Sequence, residues 1–191
     1  PQGPSTDDIV VTVEAVTAPV ANAGPDQTVL VGNPVVLDAT GSTGAATYAW
    51  TQVSGTAVTL ASADTARPTF TMPAGTTPLV FQVDVTGPGG TASDQVSVTA
   101  TPDALSITRS EYRPDSQEWR VEGTSSILDN NIVTVYLGNG TTGTVIGIAQ
   151  VDTTGAWSVR QRNSSVTPTG STVTIQSSRG GLLVGVGFEI H

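Results

Sequence analysis

The chain has 191 residues, a formal net charge of −9 and a sequence pI near 4.2. All seven of its cationic residues are arginine, and they are dispersed along the sequence. We expect them to form no basic face for nucleic acid or an anionic membrane surface, and we therefore exclude both as partners. The absence of cysteine excludes disulfides and thiol chemistry, and because no run of 18 apolar residues is present, membrane insertion is not expected.

The composition predicts β-strands joined by turns, with almost no helix. The chain contains 26 valines and 31 threonines, which favour strands, together with 21 glycines and 12 prolines, which favour turns. The length fits two β-sandwiches of about 90 residues each. Residues 1–102 hold one arginine and eight acidic residues, whereas residues 103–191 hold six arginines and eight acidic residues, so the two halves differ in charge.

The N-terminal segment resembles a later part of the chain. Residues 1–13 align with residues 88–100 as a Pro/Gly turn followed by a strand, at a spacing of 87 residues. This spacing is a domain period, and it predicts that residues 1–17 are the closing strand of an upstream repeat or a free N-terminal strand. The chain opens on Pro1, which we interpret as a sign that it is a piece of a longer tandem array.

Residues 18–101 are predicted to form the first β-sandwich. The clearest strand begins at Leu79, where apolar residues alternate with Gln82 and Asp84, and Tyr48 and Trp50 share one face of an earlier strand. The predicted strands are residues 28–31, 34–38, 47–52, 58–60, 69–72, 79–86 and 92–100.

Residues 103–191 are predicted to form the second β-sandwich. In its last strand, alternation predicts that Val184, Val186, Phe188 and Ile190 face inward. The joint at residues 101–103 is short and contains proline, so we expect the two modules to sit end to end with restricted bending. The predicted strands are residues 105–109, 118–122, 132–137, 145–151, 156–160, 172–176 and 183–190.

The first module resembles a known family through a set of motifs that spans it. They are Pro19-Val20-Ala21-Asn22-Ala23-Gly24-Pro25-Asp26-Gln27-Thr28-Val29, Val36-Leu37-Asp38 with Gly41-Ser42, Tyr48-Ala49-Trp50-Thr51-Gln52-Val53-Ser54-Gly55, Pro68-Thr69-Phe70 and Phe81-Gln82-Val83-Asp84-Val85-Thr86. On these residues, 19–100 is similar to the PKD-like (polycystic-kidney-disease-type) family of extracellular β-sandwich modules. The resemblance implies an immunoglobulin-like fold and a role outside the cell.

The second module resembles bacterial immunoglobulin-like modules. The motif is a turn with Asp152, Gly155, Trp157 and Ser158 at the spacing Asp-x-x-Gly-x-Trp-Ser. Both resemblances imply modules that space, adhere or make protein contacts on secreted or surface proteins, or that accompany a catalytic domain. The fold class predicted for the chain is therefore all-β, with two tandem immunoglobulin-like sandwiches of about seven strands each.

Catalysis has little support in the sequence, so we predict that the chain is not an enzyme. We assign no catalytic residue and no organic cofactor. The one histidine, His191, is the last residue, which disfavours a Ser-His-Asp triad. Glu111, Asp115 and Glu118 are carboxylates close in sequence, but interleaved arginines favour a solvated, mutually neutralising loop over a glycosidase pair.

Calcium is the one metal that the sequence keeps open. Asp129, Asn130 and Asn131 offer side-chain and carbonyl oxygens in one loop between strands, and Asp7 with Asp8 forms a second cluster. Asp and Asn are also common turn residues, and the Asp-x-Asp-x-Asp-Gly loop is missing, so the turn role stays an alternative.

A polysaccharide ligand would use aromatic side chains, and the candidates are Tyr112, Trp119, Tyr136 and Trp157. Trp119 and Trp157 share strand parity with neighbouring valines, which predicts burial in the core for both. The expected function is a non-catalytic extracellular stalk, spacer, display or filament segment that contacts other modules or neighbouring subunits. The alternative is an accessory polysaccharide-binding module of a secreted bacterial enzyme.

Overall fold

A computed structural model describes residues 16–75 and 77–191, and its architecture is the predicted one: two immunoglobulin-like β-sandwiches in tandem. We call β1 to β6 the N-terminal module and β7 to β14 the C-terminal module. In the described part of the chain the one helical element is a 3-10 turn at Pro114–Ser116. The strands are β1 Gln27–Leu30, β2 Pro34–Val36, β3 Thr47–Ser54, β4 Thr69–Thr71, β5 Leu79–Gly87, β6 Gly90–Thr101, β7 Leu105–Arg113, β8 Glu118–Ser125, β9 Ile132–Leu137, β10 Val145–Gln150, β11 Ala156–Gln161, β12 Thr172–Ser177, β13 Leu182–Gly187 and β14 Glu189–Ile190.

The N-terminal module packs a four-stranded sheet, in the order β1-β6-β5-β3, against the small β2-β4 pair. β1 runs parallel to β6, and the other pairs are antiparallel. The alternation predicted for β5 is confirmed, because Leu79, Phe81, Val83 and Val85 are each 1% exposed or less. Trp50 is buried on β3, and Tyr48 packs against the same core, also as predicted.

The strand predicted at residues 58–60 does not form. The backbone N–H of Val58 donates to the side-chain Oε1 of Gln52 at 2.9 Å. This N–H is therefore not available for a hydrogen bond to a neighbouring strand. Backbone pairing of this segment begins only at Ala61, which forms an isolated antiparallel bridge with Thr69. Val58 and Leu60 still pack against the core, which explains their apolar character in an irregular segment.

The C-terminal module packs two four-stranded sheets face to face. Their strand orders are β10-β9-β12-β13 and β11-β8-β7-β14. An aromatic cluster lies in the core, where the ring centroid of Trp119 is 4.8 Å from that of Tyr112, in a tilted pair, and 4.8 Å from that of Phe188, in an edge-to-face pair. The burial predicted for Trp119 and Trp157 is confirmed, with exposures of 0% and 3%.

The alternation predicted for the last strand is wrong at two of its four residues. Gly185 adopts a positive φ of 71°, and the pairing of β12 with β13 shifts register nearby. Because an irregular residue reverses the parity of the residues before it, Leu183 packs inward and Val184 is 56% exposed. Val186 and Phe188 do reach the core, but Ile190, in the separate strand β14, is 62% exposed.

Charge is distributed very unevenly between the two sheets of the C-terminal module. The strands of the β10-β9-β12-β13 sheet carry no charged residue, whereas those of the β11-β8-β7-β14 sheet carry eight. On β8 the apolar residues Trp119 and Val121 face the core, so Glu118, Arg120 and Glu122 share the outer face. We call this outer surface the charged face.

The predicted division of the chain into residues 1–17, 18–101 and 103–191 stays a prediction. Residues 1–15 lie outside the described residues, and with them the predicted N-terminal strand. The two hydrophobic clusters do fall on either side of the proposed boundary, since one ends at Ala100 and the other begins at Leu105.

Candidate functional site

The joint between the modules is built around a buried carboxylate. Asp103 lies in the three residues between β6 and β7 and is 4% exposed. Its two oxygens accept hydrogen bonds from backbone N–H groups and from neutral side chains of the C-terminal module. The donors are Ser125 Oγ at 2.9 Å, Ser126 N at 2.9 Å, Ser126 Oγ at 3.0 Å, Ile127 N at 3.1 Å and Asn131 Nδ2 at 2.8 Å.

These neutral donors keep Asp103 ionised although it is buried. Burial on its own would raise the pKa of Asp103, and it is the largest single influence. The hydrogen bonds from Asn131, Ser177, Ser125 and Ser126 together outweigh it, so the pKa of Asp103 is lowered. The short linker is therefore fixed to the C-terminal module at neutral pH by a fully hydrogen-bonded carboxylate.

Arg179 connects the same joint to the N-terminal module. It lies in the turn between β12 and β13, and its carbonyl accepts a hydrogen bond from Asp103 N at 3.0 Å. Its guanidinium donates to the carbonyl of Val31 at 3.2 Å and to that of Asp129 at 2.8 Å. A Cβ at Gly32 would lie 1.5 Å from Arg179 Nη1, so glycine leaves the space that this guanidinium fills.

A second site lies at the other end of β7 and β8, on the charged face. Glu118 is 3% exposed, and its carboxylate contacts three guanidinium groups. Arg120 lies 3.0 Å away, Arg162 lies 3.1 Å away, and Arg160 bonds through Nε to the same oxygen as Arg162. Glu111 lies beside it and pairs with Arg113 at 3.1 Å and Arg120 at 3.8 Å. We call Arg113, Arg120, Arg160 and Arg162, with Glu111 and Glu118, the arginine cluster.

Backbone pairing brings these side chains together. Arg160 lies directly opposite Arg120 in the pairing of β11 with β8, and Glu111 lies opposite Arg120 in the pairing of β7 with β8. Beyond the end of β11, the N–H of Asn163 donates to the carbonyl of Ser116 at 3.2 Å. This bond extends the β11 edge past its last paired residue and holds Arg162 next to the start of β8.

The arginines strongly acidify Glu118. The hydrogen bond from Arg120 is the largest cause and that from Arg160 the second, while burial acts in the opposite direction. Together they lower the pKa of Glu118 to about 2, from its ordinary value of 4.5. Reciprocally, the hydrogen bond to Glu118 raises the pKa of Arg120. Glu118 and Arg120 are therefore both charged at neutral pH.

Two expectations about these charges were therefore wrong. Glu111 and Glu118 belong to strands β7 and β8 and are buried, and only Asp115 lies in the exposed turn between them. The seven arginines are also not dispersed, since four of them meet in one cluster. Sequence reasoning missed this because strand pairing, and not sequence proximity, brings Arg160 and Arg162 to Glu118.

The calcium candidates lie next to the joint. Asn131 is fully buried, its Nδ2 donates to Asp103, and its Oδ1 accepts from Ser178 Oγ at 3.2 Å. The carbonyl of Asp129 accepts from Arg179, and Asn130 has a left-handed φ of 47°, which is typical of a turn. Calcium binding by these residues stays a prediction, and the second pair, Asp7 and Asp8, lies outside the described residues.

The aromatic candidates for sugar stacking are mostly inaccessible. Tyr112, Trp119 and Trp157 are each 5% exposed or less, and all three belong to the core. Tyr136 is half-buried on β9, with its hydroxyl 3.3 Å from Gln176 Oε1. Stacking on the faces of sugar rings therefore has little exposed aromatic surface available at these four residues.

Comparison with known proteins identifies the N-terminal module. The family model of the K319L-like PKD domain matches residues 23–100. This segment is a PKD domain. The resemblance read from the motifs between Pro19 and Thr86 is thus confirmed, and we call the N-terminal module the PKD module from here on. No curated protein sequence matches the chain significantly.

The chain is similar to parts of several solved structures. The PKD domain of the KIAA 1837 protein is 25% identical and covers 42% of this chain and 84% of its own, with a TM-score of 0.39. A nucleoside hydrolase-related hypothetical protein from Saccharophagus degradans is 20% identical and covers 46% of this chain and 26% of its own, with a TM-score of 0.39. A tandem of titin domains is 12% identical and covers 90% of this chain and 65% of its own, with a TM-score of 0.54, which supports the fold alone.

The family sets the broad class of function. PKD and immunoglobulin-like sandwiches are generally structural or protein-interaction modules, and they are typically non-catalytic. PKD domains are also typically extracellular. In the part of the chain that the structure describes, no helix has the length and apolar character needed to cross a membrane.

Proposed function

We propose that this chain is a non-catalytic extracellular segment that spaces and displays the parts of a larger surface or secreted protein, and that it acts through protein contacts. The support comes from the joint between its two modules. A spacer must transmit position, and two sandwiches joined by a flexible linker would not do so.

The observation that carries the proposal is the bridging position of Arg179. Three residues separate β6 from β7, and one of them, Asp103, is held by hydrogen bonds on both its side chain and its backbone N–H. Arg179 then spans from this linker to the carbonyl of Val31 in the PKD module. Relative rotation of the two modules would break the bond from Arg179 to Val31, and the linker has little free length to absorb the movement, so the joint resists bending.

The test is a distance distribution between one spin label in each module. The chain has no cysteine, so Thr51→Cys on β3 and Ser158→Cys on β11, both exposed, give unique labels. Double electron–electron resonance on the full, doubly labelled chain should give a narrow distribution of label-to-label distances. Adding Arg179→Met should broaden this distribution, while unfolding of the variant stays cooperative.

The matched control is Arg67→Met. Arg67 pairs with Asp38 on the surface of the PKD module and is 63% exposed, so its loss removes one guanidinium without touching the joint. The control should leave the distribution narrow. A broad distribution in the unmodified joint, equal to that of Arg179→Met, would rule out the rigid spacer.

A further inference from the structure

Within the arginine cluster, positive groups outnumber negative ones. Four guanidinium groups surround two carboxylates, and Glu118 alone is shared by three of them. The other acids of this face form no salt bridge with these four arginines in the described part of the chain, since Glu122 pairs with Arg109, Glu189 contacts His191 and Asp115 makes no ion pair.

One pair of residues within the cluster is unfavourable as a purely structural feature. Arg160 and Arg120 lie directly opposite each other on neighbouring strands, and like charges in that position destabilise a sheet. A local arrangement that costs stability is expected mainly at functional sites. In a chain with a net charge of −9, the convergence of four of its seven cations on one surface is the clearest departure from its general acidity.

The cluster keeps donors for a ligand. The side chains of Arg113, Arg160 and Arg162 are 40%, 46% and 64% exposed. Arg160 and Arg162 contact Glu118 through Nε, so the terminal nitrogens of both guanidinium groups extend beyond that contact. Two adjacent guanidinium forks present the planar donor geometry that carboxylate and sulfate oxygens accept.

The acidic part of the chain does not cancel this local charge. β7 runs from the joint at Leu105 to the cluster at Arg113, which is about 26 Å at the usual rise per residue. The Debye length at physiological ionic strength is about 8 Å, so the net charge of the PKD module is screened at this distance.

From this geometry we propose that the arginine cluster is a binding site for the carboxylate groups of an acidic polysaccharide. A glycan bound at this face would be recognised through its charge, since Tyr112, Trp119 and Trp157 are buried and offer no stacking surface. The inference takes its choice of a glycan from the proposed extracellular role, but it requires no rigidity of the joint.

Affinity electrophoresis of the full chain in gels that contain polygalacturonate tests the site, with neutral dextran gels as the reference. The wild-type chain should be retarded by polygalacturonate and not by dextran, and about 0.5 M NaCl should abolish the retardation. Arg162→Gln should weaken binding about threefold and Arg160→Gln/Arg162→Gln about tenfold, because each removes a charge-assisted contact. Arg162→Lys should bind between wild type and Arg162→Gln, since it keeps the charge and loses the fork.

The matched control is Arg109→Gln, on the same sheet. Arg109 is 46% exposed, as Arg160 is, but its charge is balanced by Glu122 alone. This variant should bind like the wild type. Equal losses in Arg109→Gln and Arg160→Gln/Arg162→Gln would show diffuse attraction and overturn the site. So would an unretarded wild type, or equal retardation by single-stranded DNA, which would indicate phosphate binding.

The single variant Arg162→Gln keeps the test valid if the double variant does not fold, because Arg162 is the most exposed arginine of the cluster. Spin-label distances at the joint are measured independently. A failure of polysaccharide binding is therefore distinguishable from a failure of the spacer proposal.

Discussion

The two ends of the C-terminal module each bury a carboxylate, and they stabilise it in opposite ways. At the joint, Asp103 is surrounded by hydroxyl, amide and backbone N–H donors, none of which carries a charge. At the far end of the sheet, Glu118 is surrounded by three guanidinium groups. The pKa of both carboxylates is lowered, but the causes differ.

The difference in partners distinguishes a purely structural site at Asp103 from a candidate binding surface at Glu118. Neutral donors satisfy the hydrogen-bonding capacity of the buried Asp103 carboxylate, and each of these donors is used within the fold, so none is left for a ligand. The three guanidinium groups that contact Glu118 satisfy its carboxylate, and their positive charge exceeds its single negative charge. A buried carboxylate is thus structural at one end and part of a candidate binding surface at the other.

The largest expected effect is that of Asp103→Ala. It leaves several buried donors without an acceptor, including Asn131 Nδ2 and the backbone N–H of Ile127. We expect a loss of about 3 kcal/mol or more in the free energy of unfolding, measured by urea denaturation. Asp115→Ala, in an exposed turn, is the control and should change that free energy by less than about 0.5 kcal/mol. Equal stability of the two variants would contradict the structural role of Asp103.

A smaller effect is expected for Glu118→Gln, and it should depend on pH. The folded pKa of Glu118 is about 2 and its ordinary value is 4.5. Ionised Glu118 therefore contributes stability that is fully present above pH 4.5 and is lost as the pH falls from 4.5 towards about 2. The difference in thermal unfolding midpoint between wild type and Glu118→Gln should shrink over this interval.

The two buried carboxylates should also differ in how their contribution to stability responds to salt. The guanidinium groups on Glu118 reach the surface, so added NaCl should reduce the destabilisation caused by Glu118→Gln. The destabilisation caused by Asp103→Ala should respond much less, because its partners are neutral. Thermal unfolding at low and high salt measures both, and the same salt dependence in both variants would remove the distinction drawn between the two carboxylates.

The smallest effect is expected for Arg109→Gln. Arg109 and Glu122 form a one-to-one pair at 3.6 Å, with both side chains at least 35% exposed. Exposed pairs contribute little, so the free energy of unfolding should fall by less than about 0.5 kcal/mol in urea denaturation. A loss similar to that of Glu118→Gln would mean that the whole charged face, and not the cluster around Glu118, carries the electrostatic stabilisation.

Much of the fold could be predicted because strand alternation is a local property. The residues from Leu79 to Val85 alternate in sequence and are buried as their parity requires, and Trp119 and Trp157 follow the same rule. The rule fails where the backbone departs from a regular strand. At Gly185 the positive φ reverses the parity, and near Val58 a side chain takes the place of a strand partner.

The sequence by itself determined the all-β class, most strand positions and the PKD family of the first module, because these depend on residue order and short-range periodicity. The tertiary structure alone decided which charged residues meet. Arg160 and Arg162 lie more than 40 residues from Glu118, and the bridge from Arg179 to Val31 spans 148 residues. Such contacts are set by sheet pairing and module packing, so the hydrogen-bonded Asp103 site and the arginine cluster form only when the strands are assembled.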